Sequence, residues 1–99
     1  MRLTTKERQA IVTIAHKYFD KEAETYLFGS RVDDNIKGSD IDLYIIPKQS
    51  NSAEQLYTKK IKFLVALNLT IGEQKIDVVI VKDEHRVIEK EAKRTGIKL

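Results

Sequence analysis

The tightest constraint on this chain is the stretch from Tyr26 to Pro47, YLFGSRVDDNIKGSDIDLYIIP. Tyr26-Leu27-Phe28 is a short apolar run that suits a strand, and Gly29-Ser30 ends it abruptly. Residues 31–39 are polar, with Asp33, Asp34, Asn35 and Gly38 supplying loop chemistry. Asp40 to Ile46 reads as a second strand, stopped by Pro47, which cannot donate to a ladder. Side chains alternate along a strand, so Ile41, Leu43 and Ile45 face one way. Asp40, Asp42, Tyr44 and Ile46 face the other. A sheet holding this strand must cover one face and keep two carboxylates on the opposite one.

The flanking sequence supplies the cover. Thr4 and Glu7 form a capping box, and Ala10, Ile11, Ile14, Ala15, Tyr18 and Phe19 recur at helical spacing, so a helix is expected over about Thr5–Phe19. Ser52 and Gln55 repeat the signal. Leu56, Tyr57, Ile61, Leu64 and Val65 then form a helical stripe, giving a second helix over about Ala53–Asn68. Gly72 marks a break. Lys75–Val81, KIDVVIV, is rich in β-branched residues and apolar on both faces, which predicts a buried central strand interrupted by Asp77. Asp83 can cap a last helix over about Glu84–Arg94, with Gly96 as its C-terminal cap. Helices alternate with strands, so the expected class is α/β (α+β), a small mixed sheet with helices packed on it. Its 99 residues make a single domain, 1–99, with 41% apolar residues to build the core.

Composition excludes several functions. There is no cysteine, so disulfides and thiolate metal sites are out. No apolar run reaches the roughly 20 residues that cross a bilayer, and MRLTTKERQ lacks a signal-peptide core, so a soluble cytoplasmic protein with no membrane partner is expected. A net charge of +3 is a mild excess, and Lys59, Lys60 and Lys62 beside Phe63 read as a solvated helix face. No direct nucleic-acid binding is expected. His16 and His85 read as surface residues.

The chemistry rests on carboxylates. Asp40 and Asp42 share a strand face with Cα atoms roughly 6.5–7 Å apart, and like charges held that close repel. A divalent cation resolves the conflict, and oxygen-only ligands favour Mg²⁺ or Mn²⁺. The structural alternative has one aspartate capping the loop and the other meeting water. Asp77 adds weight to the metal reading, because a carboxylate in an apolar strand costs several kcal/mol unless paired or metal-bound. If its strand lies beside the second, three carboxylates converge, enough to hold metal ions for displacement at a phosphate. Gly29 lets backbone N–H groups approach an anion, the Ser30 hydroxyl can donate to a phosphate oxygen, and Arg31 offers a further contact. Tyr44, on the same face as the aspartates, could stack on a base or pack in the core.

In this order, Phe28-Gly29-Ser30-Arg31 followed by Gly38-Ser39-Asp40-Ile41-Asp42-Leu43 resembles the signature of the polymerase-β-like nucleotidyltransferase superfamily. Asp77 on KIDVVIV is similar to its third carboxylate. Chain length and element order resemble its smallest branch, the minimal nucleotidyltransferase (MNT) proteins that accompany helical HEPN partners. The loop between Gly-Ser and Asp-x-Asp, residues 31–39, is one residue shorter than the family commonly has.

The resemblance implies a nucleotidyltransferase fold and an enzyme that moves AMP from ATP to a hydroxyl. Gly29, Ser30 and Arg31 would bind the nucleotide's phosphates. Asp40, Asp42 and Asp77 would be the catalytic, metal-binding carboxylates, with Mg²⁺ or Mn²⁺ as cofactor and ATP as substrate. Asp77 could also help deprotonate the attacking hydroxyl, with pyrophosphate leaving. The chain has no evident room for an acceptor domain, so a partner is expected to supply the hydroxyl. The resemblance points to a HEPN-type helical toxin, silenced by adenylylation in a toxin–antitoxin system. The alternatives are a small-molecule (aminoglycoside-like) nucleotidyltransferase whose pocket is built across a dimer, and a catalytically silent module that binds a nucleotide or a partner.

Overall fold

Both expected capping boxes start helices. In a computed structural model, which describes residues 3–28, 40–80 and 96–99, the Thr4 hydroxyl accepts from the Glu7 amide (3.0 Å) and the Glu7 carboxylate accepts from the Thr4 amide (2.9 Å). Helix α1 follows over Thr5–Tyr18. Ser52 and Gln55 make the same exchange at 3.1 and 2.8 Å, opening α2 over Ala53–Ile71. These contacts satisfy donors that a helix start otherwise leaves unpaired. Helix α2 runs three residues beyond the expected Asn68 and stops at Gly72, whose φ of 90° is a conformation glycine adopts without strain.

Strands β1 (Glu24–Phe28), β2 (Ile41–Ile46), β3 (Ile76–Ile80) and β4 (Ile97–Lys98) form one mixed sheet in the order β3-β2-β1-β4. Strand β2 runs antiparallel to β1 and parallel to β3, with α2 as the crossover that a parallel pair requires. The two-residue β4, antiparallel to β1, was not expected from the sequence. The proposed helix at 84–94 and its capping residue Asp83 lie outside the described residues, as do His85 and the loop 31–39. Gly96, expected as that helix's cap, is explained within the described residues by contact instead: a Cβ there would overlap the Phe28 ring.

The two helices cover one face of the sheet. Ile41, Leu43 and Ile45 are buried there with Leu27 and Val78, against Ile11, Ile14, Ala15, Leu56, Phe63 and Leu67. Phe19 and Phe63 meet at 5.8 Å between ring centroids and join the two helices. The expected stripe on α2 is corrected here. Leu56, Phe63 and Leu67 carry its core contacts, whereas Tyr57, Ile61 and Val65 are exposed. Helix α2 is apolar on two sides, and periodicity alone does not say which side meets the sheet.

A second correction concerns β3. It was expected as a buried central strand, but among the described residues it is the sheet's edge, and Asp77 and Val79 are exposed on the face away from the helices. The central positions belong to β1 and β2. The run IDVVI is apolar because Ile76, Val78 and Ile80 face the helices, and Val79 faces outward.

At the far end of β2, Asp20 is 6% exposed. Its carboxylate accepts from the amides of Glu22 (3.0 Å), Lys48 (2.9 Å) and Gln49 (3.2 Å). One side chain thereby ties the α1–β1 turn to the turn after Pro47. A buried carboxylate is tolerated there because three backbone amides donate to it.

Candidate active site

The face of the sheet turned away from the helices carries the acids. Register sets the arrangement. In the parallel β2–β3 pair Asp42 stands beside Asp77, and in the antiparallel β1–β2 pair Asp42 stands beside Phe28. One row across the open face therefore reads Phe28, Asp42, Asp77. The next row reads Tyr26, Tyr44, Val79. Phe28 and Tyr44 pack with centroids 4.3 Å apart, and Tyr26 and Ile46 are buried with them in a small second core. Tyr44 thus contributes packing, and it also forms an aromatic floor next to the acids.

Asp42 is partly buried between these neighbours. Burial pushes its carboxyl above the ordinary carboxylate value. The charge of Asp77, a hydrogen bond with the Asp77 side chain and the charge of Asp40 push it the same way, while Lys75 opposes them. Two carboxyl groups set side by side repel, and a shared proton or a cation between them relieves the conflict. Asp40, just before β2, is turned toward Lys75, whose Nζ lies 3.5 Å from Oδ2. The Lys75 carbonyl also accepts from the Ile41 amide at 3.0 Å, extending the β2–β3 ladder to this point.

The fold therefore brings Asp42 and Asp77 together and sets Asp40 at the same end of the strand. Among the described residues, no group of three acidic or histidine side chains is gathered so as to hold an ion at once. The pair Asp42–Asp77 nevertheless fits a hard divalent cation. Both donors are carboxylate oxygens, and their mutual repulsion is the feature a cation would relieve. Asp40 can join them by leaving a lysine that is 71% exposed, an exchange of low cost. Gly29, Ser30 and Arg31, the expected phosphate contacts, lie outside the described residues.

Two contributors were missed from the sequence. Lys75 precedes Ile76-Asp77, and only the parallel register places it against Asp40. Phe28 reads as a core residue until the antiparallel register sets it beside Asp42. No local signal announces either one, because both depend on strand pairing.

The family model described as "Polymerase beta, Nucleotidyltransferase" matches residues 9–99. No curated protein and no solved structure matches the chain significantly. Among the described residues no helix is long and apolar enough to cross a membrane.

Proposed function

Because the chain belongs to the polymerase-β nucleotidyltransferase family, we propose that it transfers AMP from ATP to a hydroxyl group, with Mg²⁺ or Mn²⁺ held by Asp40, Asp42 and Asp77. The observation that carries this reading is the side-by-side placement of Asp42 and Asp77 on the open face of the sheet, with the Asp42 carboxyl pushed up by burial and by its neighbour. Such a pair costs stability, and its use is in binding a cation.

In this reading the acceptor oxygen attacks the α-phosphorus of ATP and the bond to the β-phosphate bridging oxygen breaks, releasing pyrophosphate. The proton of the acceptor hydroxyl passes to a carboxylate oxygen of Asp77, which its exposure leaves open to an incoming group. Asp42, fixed between Phe28 and Asp77, orients the centre. Ser30, with the backbone at Gly29, holds the terminal phosphates, and Arg31 adds a further contact. A bound divalent cation would supply charge neutralisation for the triphosphate and the leaving group. We assign the acceptor to a HEPN-type helical toxin and the chain to the antitoxin role, a reading supported by its resemblance to minimal nucleotidyltransferases.

The test is incubation with ATP labelled at the α-phosphate, Mg²⁺ and the candidate partner. Label should appear on the partner, and Asp40→Asn with Asp42→Asn should reduce the rate on the order of 10²-fold or more. Transfer that survives the double change would sink the metal-site assignment. A second reading, a silent nucleotide-binding module, is favoured by the Asp40–Lys75 ion pair, which occupies one of the three carboxylates. Nucleotide binding without label transfer to any hydroxyl would select it.

A further inference from the structure

Helix α2 carries a second apolar stripe that the core does not use. Tyr57 is 67% exposed, Ile61 44%, Val65 55% and Leu69 83%. These positions are spaced by four and form one ridge about 18 Å long on the side of α2 opposite Leu56, Phe63 and Leu67. With Tyr18 at the end of α1, Lys62 and Ala66, the ridge residues Ile61, Val65 and Leu69 line an open groove. Scattered exposed apolar residues are ordinary, but a continuous ridge of four is a contact surface.

The charges at its border say what kind. Lys62 lines the groove itself, and Lys17 sits over the Tyr18 ring with its Nζ 5.4 Å from the centroid. The other border of the ridge, through Lys60, Leu64 and Asn68, carries a further basic residue. A second copy of the chain is a poor occupant. The midpoint of the ridge falls at Phe63, so in a two-fold pair of α2 helices Lys62 would meet its own copy. An anionic membrane surface is also disfavoured, since the ridge has one aromatic residue and the acidic Glu54 is exposed one turn before Tyr57.

We propose that the outer face of α2 is a docking surface for an amphipathic helix of a partner protein whose apolar stripe is bordered by acidic side chains. Because the exposed ridge is an i, i+4 row, a helix seated in the groove beside it crosses at about −50°, the angle at which two such rows interdigitate. Its acidic border meets Lys62 and Lys17. The surface lies on the helix side of the sheet, away from Asp42 and Asp77. A partner held there is anchored without covering the acids, so docking and nucleotidyl transfer can fail independently.

The experiment uses the full chain, isotope-labelled for NMR, and two synthetic amphipathic helical peptides with the same leucine seam, one bordered by Glu and one by Lys. The Glu-bordered peptide is expected to bind with Kd on the order of 10–100 µM, shifting signals of Tyr57, Ile61, Val65 and Leu69. Leu69→Glu, an exposed position whose effect on folding is checked by thermal melting, should weaken it at least about tenfold. Lys62→Glu should weaken the Glu-bordered peptide and strengthen the Lys-bordered one. Four results would overturn the proposal. They are no binding of either peptide, equal binding of both, a concentration-dependent dimer abolished by Leu69→Glu, and binding to phosphatidylserine vesicles in place of the peptide.

Discussion

Asp20, in the α1–β1 turn, and Asp42, near the start of β2, are carboxylates at opposite ends of one sheet, and they are treated in opposite ways. Asp20 is almost fully buried and surrounded by three backbone donors. Asp42 is partly buried and surrounded by two more carboxylates, with one exposed lysine nearby. The first is an internal staple whose charge is already compensated by its own chain. The second is left in conflict, and a conflict that the chain does not resolve marks a site that an outside cation can.

The strongest way to break this comparison is at Asp20. Asp20→Ala takes the acceptor from three amides and should lower stability by about 2–4 kcal/mol, on the order of 10–20 °C in melting temperature. An unchanged melting curve would show that the staple is decorative.

A smaller effect of the opposite sign is expected at Asp42. A carboxyl raised in the folded state destabilises that state above its folded pKa, and the penalty fades as pH falls through that value toward the unfolded one. Asp42→Asn should therefore melt higher than the natural chain at neutral pH in chelator, by about 1 kcal/mol at most because solvent screens a part-buried group. The two curves should converge on acidification. Added Mg²⁺ should raise the natural chain's melting temperature and leave Asp42→Asn nearly unmoved. Convergence on raising the pH instead would reverse the assignment.

The smallest effect is at Lys75. Lys75→Gln removes an exposed ion pair and should change stability by no more than about 0.5 kcal/mol. It frees Asp40, so Mn²⁺ binding followed by electron paramagnetic resonance without nucleotide should tighten. Weaker Mn²⁺ binding would mean that Lys75 positions Asp40 and does not compete for it.

Much of this was legible without coordinates. Thr4 with Glu7 and Ser52 with Gln55 announce their helices, and Gly72 announces an end, because caps are contacts within a few residues. The alternation in DIDLYII correctly separates Ile41, Leu43 and Ile45 from Asp42 and Tyr44. The central placement of KIDVVIV failed. A strand covered on one face and carrying one exposed valine, Val79, looks much like a strand covered on both. The α2 stripe failed for a related reason, since a helix with two apolar sides has no local mark of which is inside. Asp20 was missed because its donors at 48 and 49 come from a distant turn.

By itself, then, the sequence determined α1 and α2, their N-terminal caps, the acid-bearing strand and its two faces, all features written in contacts a few residues long. Tertiary structure decided that β3 is the edge strand among the described residues, that Asp77 stands beside Asp42, that Lys75 meets Asp40, and that four apolar side chains of α2 point outward. Those outcomes depend on which strands pair and in what register. That is a competition among distant segments for one buried face, settled by packing of the whole chain.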